Sequence, residues 1–319
     1  MISGIWTALI GIGVLVVLLG ITTAMIWIER RVLAGFQDRF GPNRVGPLGL
    51  LQPIADVIKL LMKEDWIPPF ADKFLLVLAP MVIVASVLLA FAVVPFARGI
   101  TISDANVGLV FFLGMTSLGT YSILLAGWSS GSKYPLIGAM RAAAQLVSYE
   151  IPMALSLVGV VLLAGSFSLG DIVRGQSRVW YGLLQPVGLI IFLICGFAES
   201  RRIPFDLPEA ENELVSGYHT EYSSMKFALF FMGEYLDIIL ISCMVTTLYL
   251  GGWLGPMLPG IVWFGLKTAA VIFVFIWVRA VLPRYRFDQL IGLSWKWLLP
   301  LSILNIVVTG AVMLALGQR

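Results

Sequence analysis

The stretch FLLVLAPMVIVASVLLAFAVVPFA occupies residues 74–97 and contains no charged side chain. A helix needs about 20 mainly apolar residues to cross the hydrocarbon core of a bilayer, so this stretch predicts a membrane-spanning helix. The same composition extends along the chain, of which 59% is hydrophobic and only 12% charged, with a mean hydropathy of +0.96. These values exclude an ordinary soluble globular domain.

The chain contains eight long apolar runs of this kind, five without any charge and three with isolated ionisable residues. The uncharged runs cover 1–28, 74–97, 105–132, 179–198 and 297–318, and the others cover about 140–165, 226–250 and 257–280. The pattern predicts an all-α polytopic membrane protein with eight transmembrane helices, which form a single membrane domain over 1–319. The first run lacks a basic flank and a small-residue cleavage site, so we do not expect a signal peptide.

The distribution of Lys and Arg predicts the orientation. With eight spans, both termini lie on the same side of the membrane. The loops after spans one, three, five and seven, with the adjoining helix ends, hold sixteen Lys and Arg residues, whereas the opposite side holds only Arg98, Arg174, Arg178 and Arg319. Because basic residues accumulate in cytoplasmic loops, we expect both termini on the outer, periplasmic side of a bacterial cell inner membrane.

The first inner loop, 29–73, is long enough to contain structure of its own. Leu51, Ile54, Ile58 and Leu61 recur at helical spacing, with charged residues on another face. This pattern predicts an amphipathic interfacial helix in the first inner loop. A helix that only packs against the bundle, with no role in binding a ligand, is an equally good interpretation.

The third inner loop, 199–225, is acidic. Residues 198–222, AESRRIPFDLPEAENELVSGYHTEY, hold a third of the 18 acidic residues of the chain: Glu199, Asp206, Glu209, Glu211, Glu213 and Glu221. Like charges at the i,i+4 spacing of Glu209 and Glu213 repel each other unless basic groups or protons compensate. Acids and bases on one face of an apolar bundle indicate a docking surface for a peripheral partner, or the mouth of a cavity.

Ionisable residues also lie inside the apolar runs, where a charge costs several kcal/mol and usually serves a function. Glu150 lies near the middle of the fourth run, and Glu234 and Asp237 share a face of the sixth because they are three residues apart. Glu29 and Glu199 end the first and fifth runs. Together these carboxyl groups form a candidate path for protons; structural hydrogen bonds between helices are the alternative.

The scarcity of cysteine and histidine limits the cofactors that the chain could bind. The chain has two cysteines, Cys195 and Cys243, and one histidine, His219. So few ligands exclude an iron–sulfur cluster, haem or structural zinc, and we expect buried, reduced thiols and no metal site. No nucleotide-binding fingerprint occurs, and we expect no nucleic-acid partner. Lys267 is isolated in the seventh run, where its amine either reaches the interface or pairs with a carboxylate.

Four long motifs together resemble one family. They are ERRVLAGFQDRFGPNRVGPLGLLQPIADVIKLLMKED, GWSSGSKYPLIGAMRAAAQLVSYE, AESRRIPFDLPEAENELVSGYHTEYSSMKFALFFMGEY and RAVLPRYRFDQL. In sequence and in order they are similar to the H-type subunits (mitochondrial ND one type) of proton-pumping NADH:quinone oxidoreductase, respiratory complex I. The resemblance covers essentially the whole chain.

This resemblance implies a subunit that joins the membrane arm to the peripheral arm and binds no redox cofactor itself. Quinone is the substrate, and partner subunits carry NADH, FMN and the iron–sulfur clusters. Further partners are other membrane-arm subunits and lipid. By resemblance, the residues that frame the quinone cavity are Arg30, Asp56, Lys59 and Phe227. The acidic loop beneath it comprises Asp206, Glu209, Glu211, Glu213 and Glu221, and the proton path comprises Glu199, Glu150 and Glu234.

One position departs from this pattern. Some relatives carry a glutamate on the third span, where this chain has Ser117 in GMTSLGTYS. Either water or a neighbouring subunit bridges that position, or the proton path does not need it.

Three other functions remain open at this stage. The first is the homologous membrane subunit of a membrane-bound hydrogenase complex, which shares parts of the loop motifs. The second is a stand-alone ion transporter, which would leave the mixed-charge inner rim unexplained. The third is a simple membrane anchor, for which neutralising Glu150 would have no effect.

Overall fold

A computed structural model describes residues 2–208 and 215–316, and every regular element in these two ranges is a helix. A π-helical turn, Ser294–Leu298, joins the last two helices. The helices are α1 (Ile2–Phe36), α2 (Gln52–Met62), α3 (Lys73–Ala90), α4 (Gly108–Ser129), α5 (Lys133–Ala164), α6 (Leu169–Gly175), α7 (Tyr181–Leu184), α8 (Pro186–Glu199), α9 (Ser224–Tyr249), α10 (Gly260–Val281), α11 (Phe287–Leu293) and α12 (Leu299–Ala315).

Within the described ranges, seven helical stretches are long and apolar enough to cross a bilayer. They are Leu9–Phe36, Lys73–Val93, Gly108–Ser129, Lys133–Ala164, Ser224–Tyr249, Gly260–Val281 and Phe287–Ala315. These stretches coincide with seven of the eight predicted runs. The prediction of an all-helical membrane protein is therefore confirmed.

The predicted fifth span, 179–198, folds as two helices, α7 and α8, with a break at Gln185. The break is held from α12: Gln185 Nε2 donates to Thr309 Oγ1 at 2.6 Å, and Asn305 Nδ2 donates to Gln185 Oε1 at 2.7 Å. At 1.5 Å per residue, the fourteen residues of α8 extend about 21 Å, less than the roughly 30 Å hydrocarbon core. The uncharged run therefore correctly predicted an apolar helical segment, but it did not predict the break in the helix.

Helix α9 lies at the centre of the bundle. Every residue from Gly233 to Tyr249 is buried, and α9 contacts α1, α2, α3, α8 and α10. Its small polar side chains bond to the carbonyl one turn earlier, as when Ser242 Oγ donates to the Ile238 carbonyl at 2.7 Å. By contrast, α1 and α12 lie at the periphery with mostly exposed apolar surfaces. The ionisable residues of α9 are thus surrounded by protein.

Two glycines allow the elements around the ionisable residues to approach closely. A Cβ atom on Gly196 of α8 would lie 2.5 Å from the Ile241 side chain of α9. A Cβ atom on Gly138 of α5 would lie 2.8 Å from the backbone nitrogen of Tyr218. Small residues commonly permit such contacts between membrane helices. Here they bring α8 against α9, and the end of the acidic loop against α5.

The first inner loop is attached to the start of α9. Ser224 Oγ donates to the Leu60 carbonyl at 2.9 Å, and Lys226 Nζ pairs with Asp65 Oδ1 at 2.9 Å. These contacts hold the C-terminal end of α2 beside the acidic loop.

Lys267 of α10 reaches backbone carbonyls rather than a carboxylate. Its Nζ donates to the carbonyls of Leu250, Gly252 and Leu254 at 2.6, 3.1 and 2.7 Å. The ammonium also lies 4.9 Å from the ring centroid of Trp180. It therefore caps the C-terminal end of α9, where the last carbonyls of a helix lack partners in the helix itself.

We expect Lys267→Met to destabilise the protein by about 1–3 kcal/mol, since it leaves buried carbonyls without a donor. The measurement is the thermal denaturation of the protein purified in mild detergent. Lys296→Met is the matched control because Lys296 is exposed. Equal melting temperatures for the two variants would show that the carbonyl contacts of Lys267 do not stabilise the fold.

Candidate functional site

A buried arginine, Arg202, joins two helices through two carboxylates. Arg202 Nη1 lies 3.1 Å from Glu29 Oε1 of α1, and Arg202 Nε lies 2.6 Å from Glu234 Oε1 of α9. All three residues are at most 5% exposed. Arg279 of α10 also pairs with Glu29. Since buried charges are tolerated only when paired and hydrogen-bonded, this cluster fixes α1, α9 and α10 around the loop that carries Arg202.

The neighbouring arginine, Arg201, pairs with a different acid of α9. Arg201 adopts a left-handed backbone conformation with φ of 54°, immediately after α8. Its Nη2 lies 2.9 Å from Asp237 Oδ2, one helical turn beyond Glu234. The ring of Tyr235 lies 4.5 Å from the Arg202 guanidinium carbon. The consecutive arginines thus bind consecutive acids on the same face of α9.

Five carboxylates, on α1, α5, α8 and α9, lie near enough for the charge of each to act on the next. Glu29 interacts with Glu234, and Glu234 interacts with Asp237. Asp237 interacts with Glu199, and Glu199 interacts with Glu150. A change of charge on one member therefore affects the protonation of the next, because interacting sites titrate as a coupled set.

Glu150 is bonded to α4 at the end of this series. Ser117 Oγ donates to Glu150 Oε2, and Thr120 Oγ1 donates to Glu150 Oε1, both at 3.1 Å. Ser117 is thus in direct contact with the glutamate of α5. Serine and threonine hydroxyls can both donate and accept, so either can hydrogen-bond the carboxyl group in either protonation state.

A cavity of about 200 Å³ adjoins the arginine cluster. Its lining combines charged residues, among them Arg202, Glu234 and Arg279, with aromatic ones. The lining comprises Arg201, Arg202, Ile203, Asp206, Tyr218, His219, Phe227, Phe230, Phe231, Glu234 and Arg279. A lining of both aromatic and charged groups suits a flat, partly polar ring.

The loop residues Asp206 and His219, which line this cavity, have shifted pKa values. Burial raises the pKa of Asp206, against the opposing effect of its ion pair with Arg284. Burial lowers the pKa of His219 to about 4, and the positive charge of Arg201 adds to this effect. Consequently His219 is neutral at pH 7, and the positive charge of the cavity comes from its arginines.

Comparison with known protein families adds to this geometry. Residues 9–310 match the model of a family described as NADH dehydrogenase. The chain belongs to the NADH dehydrogenase family.

Curated members of the family are similar over nearly the whole chain. One of the NADH-quinone oxidoreductase H subunits of Rhodopseudomonas palustris is 52% identical over 99% of this chain and 99% of its own. One of the H subunits of the same enzyme from Geobacter sulfurreducens is 54% identical over 93% of each chain. The H subunit from Methylococcus capsulatus is 54% identical over 94% of this chain and 96% of its own.

The structure separates the four residues that the family resemblance groups around quinone. Phe227 lines the cavity. Arg30 Nη1 pairs with Asp56 Oδ2 at 2.6 Å, which joins α1 to α2, and Lys59 is exposed on α2. Arg30 instead lines a second recess of about 500 Å³ with Arg39 and Phe40. Arg30, Asp56 and Lys59 therefore do not line the cavity. They lie on α1 and α2, and we call these three the rim residues.

The acidic loop is described only in part. Asp206 lines the cavity, while Glu221 is partly buried and does not belong to the lining. Glu209, Glu211 and Glu213 lie outside the described residues. Glu199 and Glu234, by contrast, are buried, Glu150 is half-buried, and all three belong to the series of interacting carboxylates.

Sequence reasoning missed most of the aromatic wall of the cavity. Tyr218 and His219 lie on a short 3-10 turn, whereas Phe230 and Phe231 lie on α9. Phe227, Phe230 and Phe231 have the i, i+3, i+4 spacing of one helix face, and this spacing could have identified them. Thr120 was also missed, although it lies three residues after Ser117 on α4.

We expect Arg202→Met to destabilise the protein strongly, since breaking a buried pair by removing one partner costs about 3–5 kcal/mol. The measurements are the amount of the chain in membranes and its thermal stability. Arg286→Met is the control because the Arg286 side chain is 81% exposed. Adding Glu234→Gln to Arg202→Met should restore part of the loss. A variant as stable as Arg286→Met would refute the structural role of Arg202.

We expect His219→Gln to reduce the acid sensitivity of the protein. The unfolded chain takes up a proton on this histidine near pH 6.5, whereas the folded protein does so only near pH 4. The wild type therefore loses stability as the pH falls from 6.5 towards 4, and the variant lacks this contribution. Melting temperatures between pH 7 and 5 should fall less steeply for the variant; parallel curves would contradict the lowered pKa.

Proposed function

We propose that this chain is the membrane subunit of a proton-translocating NADH:quinone oxidoreductase, respiratory complex I. In that complex it forms the membrane side of the quinone-binding chamber and couples quinone reduction to proton translocation. The observation that carries the proposal is the series of interacting carboxylates that begins beside the cavity and ends at the half-buried Glu150. The names of the relatives favour this function over membership of a hydrogenase complex.

The cavity accounts for only part of a quinone site. Its volume of about 200 Å³ is below the roughly 300–1,000 Å³ of common small-molecule pockets. A partner subunit therefore completes the chamber, and the incomplete wall also argues against a stand-alone transporter. The partner is the peripheral-arm subunit that carries the terminal iron–sulfur cluster, and other peripheral subunits carry NADH and FMN. This chain contributes residues that bind and orient the quinone head, among them Phe227.

The rim residues Arg30, Asp56 and Lys59 frame the chamber from α1 and α2. The Arg30–Asp56 pair holds these two helices together, while the exposed Lys59 is available to the partner or to lipid headgroups. On α2, Ile54, Ile58 and Leu61 are about half exposed. An uncovered apolar face beside a charged face is typical of a helix that lies in the membrane interface, along which quinone can enter from lipid.

Quinone reduction is coupled to proton movement through the negative charge that develops in the cavity when the quinone is reduced. Quinone takes up two electrons and two protons to become quinol, so negative charge develops there until protons arrive. That charge favours the protonated forms of nearby carboxyl groups. Because Glu234, Asp237, Glu199 and Glu150 interact in sequence, protonation near the cavity changes proton occupancy at Glu150. The response then continues into other membrane-arm subunits.

The acidic loop supplies the groups closest to this event. Asp206, on the cavity wall, has a raised pKa and is suited to exchange protons there. Glu209, Glu211, Glu213 and Glu221 continue the acidic sequence of the same loop. We assign them to the same proton-coupling group as Glu199.

The topology has eight transmembrane helices, with α7 and α8 together forming the fifth. Their combined span of 181–199 covers about 28 Å at 1.5 Å per residue, close to the hydrocarbon thickness. The charged loops lie in the cytoplasm of a bacterial cell, and both termini lie on the periplasmic side of the inner membrane.

We expect Glu150→Gln to lower proton pumping linked to NADH-driven quinone reduction by about tenfold or more, as for loss of an essential proton-transfer group. Glutamine retains the shape but cannot exchange protons. Pumping is measured in vesicles that contain the assembled complex, normalised to complex content. Asp171→Asn is the control, since Asp171 pairs with Arg174 on the exposed outer side. Wild-type pumping in an assembled Glu150→Gln complex would refute the proposed path.

A further inference from the structure

Helix α5 contains an interruption two residues from Glu150. Pro152 lies inside the helix and has no backbone N–H. In a regular helix the N–H of residue 152 would donate to the carbonyl of residue 148. The carbonyl of Ser148 therefore lacks its partner within α5, and a buried carbonyl without a donor is costly.

A serine from another helix replaces the missing donor. Ser294 Oγ donates to the Ser148 carbonyl at 2.6 Å, and Ser294 is 1% exposed. The adjacent Trp295 donates from Nε1 to Ser148 Oγ at 3.2 Å. Tyr149 returns a hydrogen bond in the opposite direction, from its hydroxyl to the Leu290 carbonyl at 2.9 Å. Three hydrogen bonds thus attach residues 148 and 149 to the segment 290–295.

This segment has an unusual backbone. Ser294 and Trp295 begin the π-helical turn Ser294–Leu298, between α11 and α12. A π turn is wider than an α turn, is rare, and is frequently found at functional sites. Here it presents two successive side chains to the same residue of α5.

Glu150 is held from the opposite direction. Its two carboxylate oxygens accept hydrogen bonds from Ser117 and Thr120 of α4. Residues 148–150 are consequently fixed by α4 on one side and by the π turn on the other. A shift or rotation of α5 at this point would lengthen bonds that are already 3.1 Å long, and proton transfer requires hydrogen-bond reach.

We propose that Ser294 is a positioning residue for Glu150. Its hydroxyl donates to the Ser148 carbonyl, which has no helical donor because of Pro152, and this bond fixes the position of Glu150 on α5 relative to α4. The inference rests on the proposed role of Glu150 in proton coupling. Ser294 does not line the cavity, so its contribution is to proton transfer and not to quinone binding.

The test compares two substitutions of nearly equal volume in the assembled complex. Ser294→Thr keeps a hydroxyl, whereas Ser294→Val removes it. We expect Ser294→Val to reduce pumping per assembled complex about fivefold relative to Ser294→Thr, since only the valine leaves the buried carbonyl unsatisfied. The KM for quinone should be the same in both variants. Equal pumping by the threonine and valine variants would overturn the proposal.

A double-mutant cycle tests the link to the proline. Pro152→Ala restores a backbone N–H that can donate to the Ser148 carbonyl, so Ser294→Ala should have little effect in that background and a large effect in the wild type. Equal losses in both backgrounds would overturn the proposal. Ser302→Ala is the control, because Ser302 is equally buried but bonds within its own helix, to Leu299 at 2.7 Å.

Glu150→Gln, measured in parallel, distinguishes a failure of the proposed function from a failure of the positioning role of Ser294. If Glu150→Gln pumps normally, the proposed function fails and the positioning role of Ser294 fails with it. If Glu150→Gln is impaired while the threonine and valine variants are alike, only the role of Ser294 is wrong.

Discussion

The pairing of Arg202 with Glu29 and Glu234 is the constraint on which the site depends. Each of these charges would be prohibitively costly alone inside an apolar bundle, and each is tolerated because the others are present. The pairing brings together three segments of the sequence: the C-terminal part of α1, the loop after α8 and the middle of α9. The cavity lies beside this junction, and Arg202 and Glu234 are part of its lining.

Hydrophobic periodicity and charge predicted much of the architecture. Long apolar runs, four without charge and three with isolated ionisable residues, identified seven helices able to cross a membrane, because no soluble fold tolerates so much apolar surface. The break in the predicted fifth span was not predictable, since Gln185 is a single polar residue whose partners on α12 lie more than a hundred residues away. The composition of a run predicts whether the segment lies in lipid or in water. Whether its helix is broken depends on contacts with residues elsewhere in the fold.

The carboxylates of the candidate site were predictable because ionisable residues are rare in apolar runs. Their pairing was not, because several arginines lie within the same inner region and sequence spacing does not select among them. Ser117 shows why sequence alone was not enough. In the sequence it stands where an acid was expected, and only the structure shows that its hydroxyl contacts Glu150 on another helix. Arg30, Asp56 and Lys59 follow from family resemblance alone, and their place in a quinone chamber stays a prediction.

The contrast between buried and exposed charges has a consequence for ionic strength. At 0.15 M salt the Debye length is about 8 Å, so mobile ions weaken interactions between exposed charges but hardly reach pairs enclosed by protein. The Arg202 cluster is enclosed, while Arg30 and Lys59 on the inner rim are accessible to solvent. Concentrated salt should therefore weaken the contacts of Arg30 and Lys59 before it disturbs the charges inside the bundle.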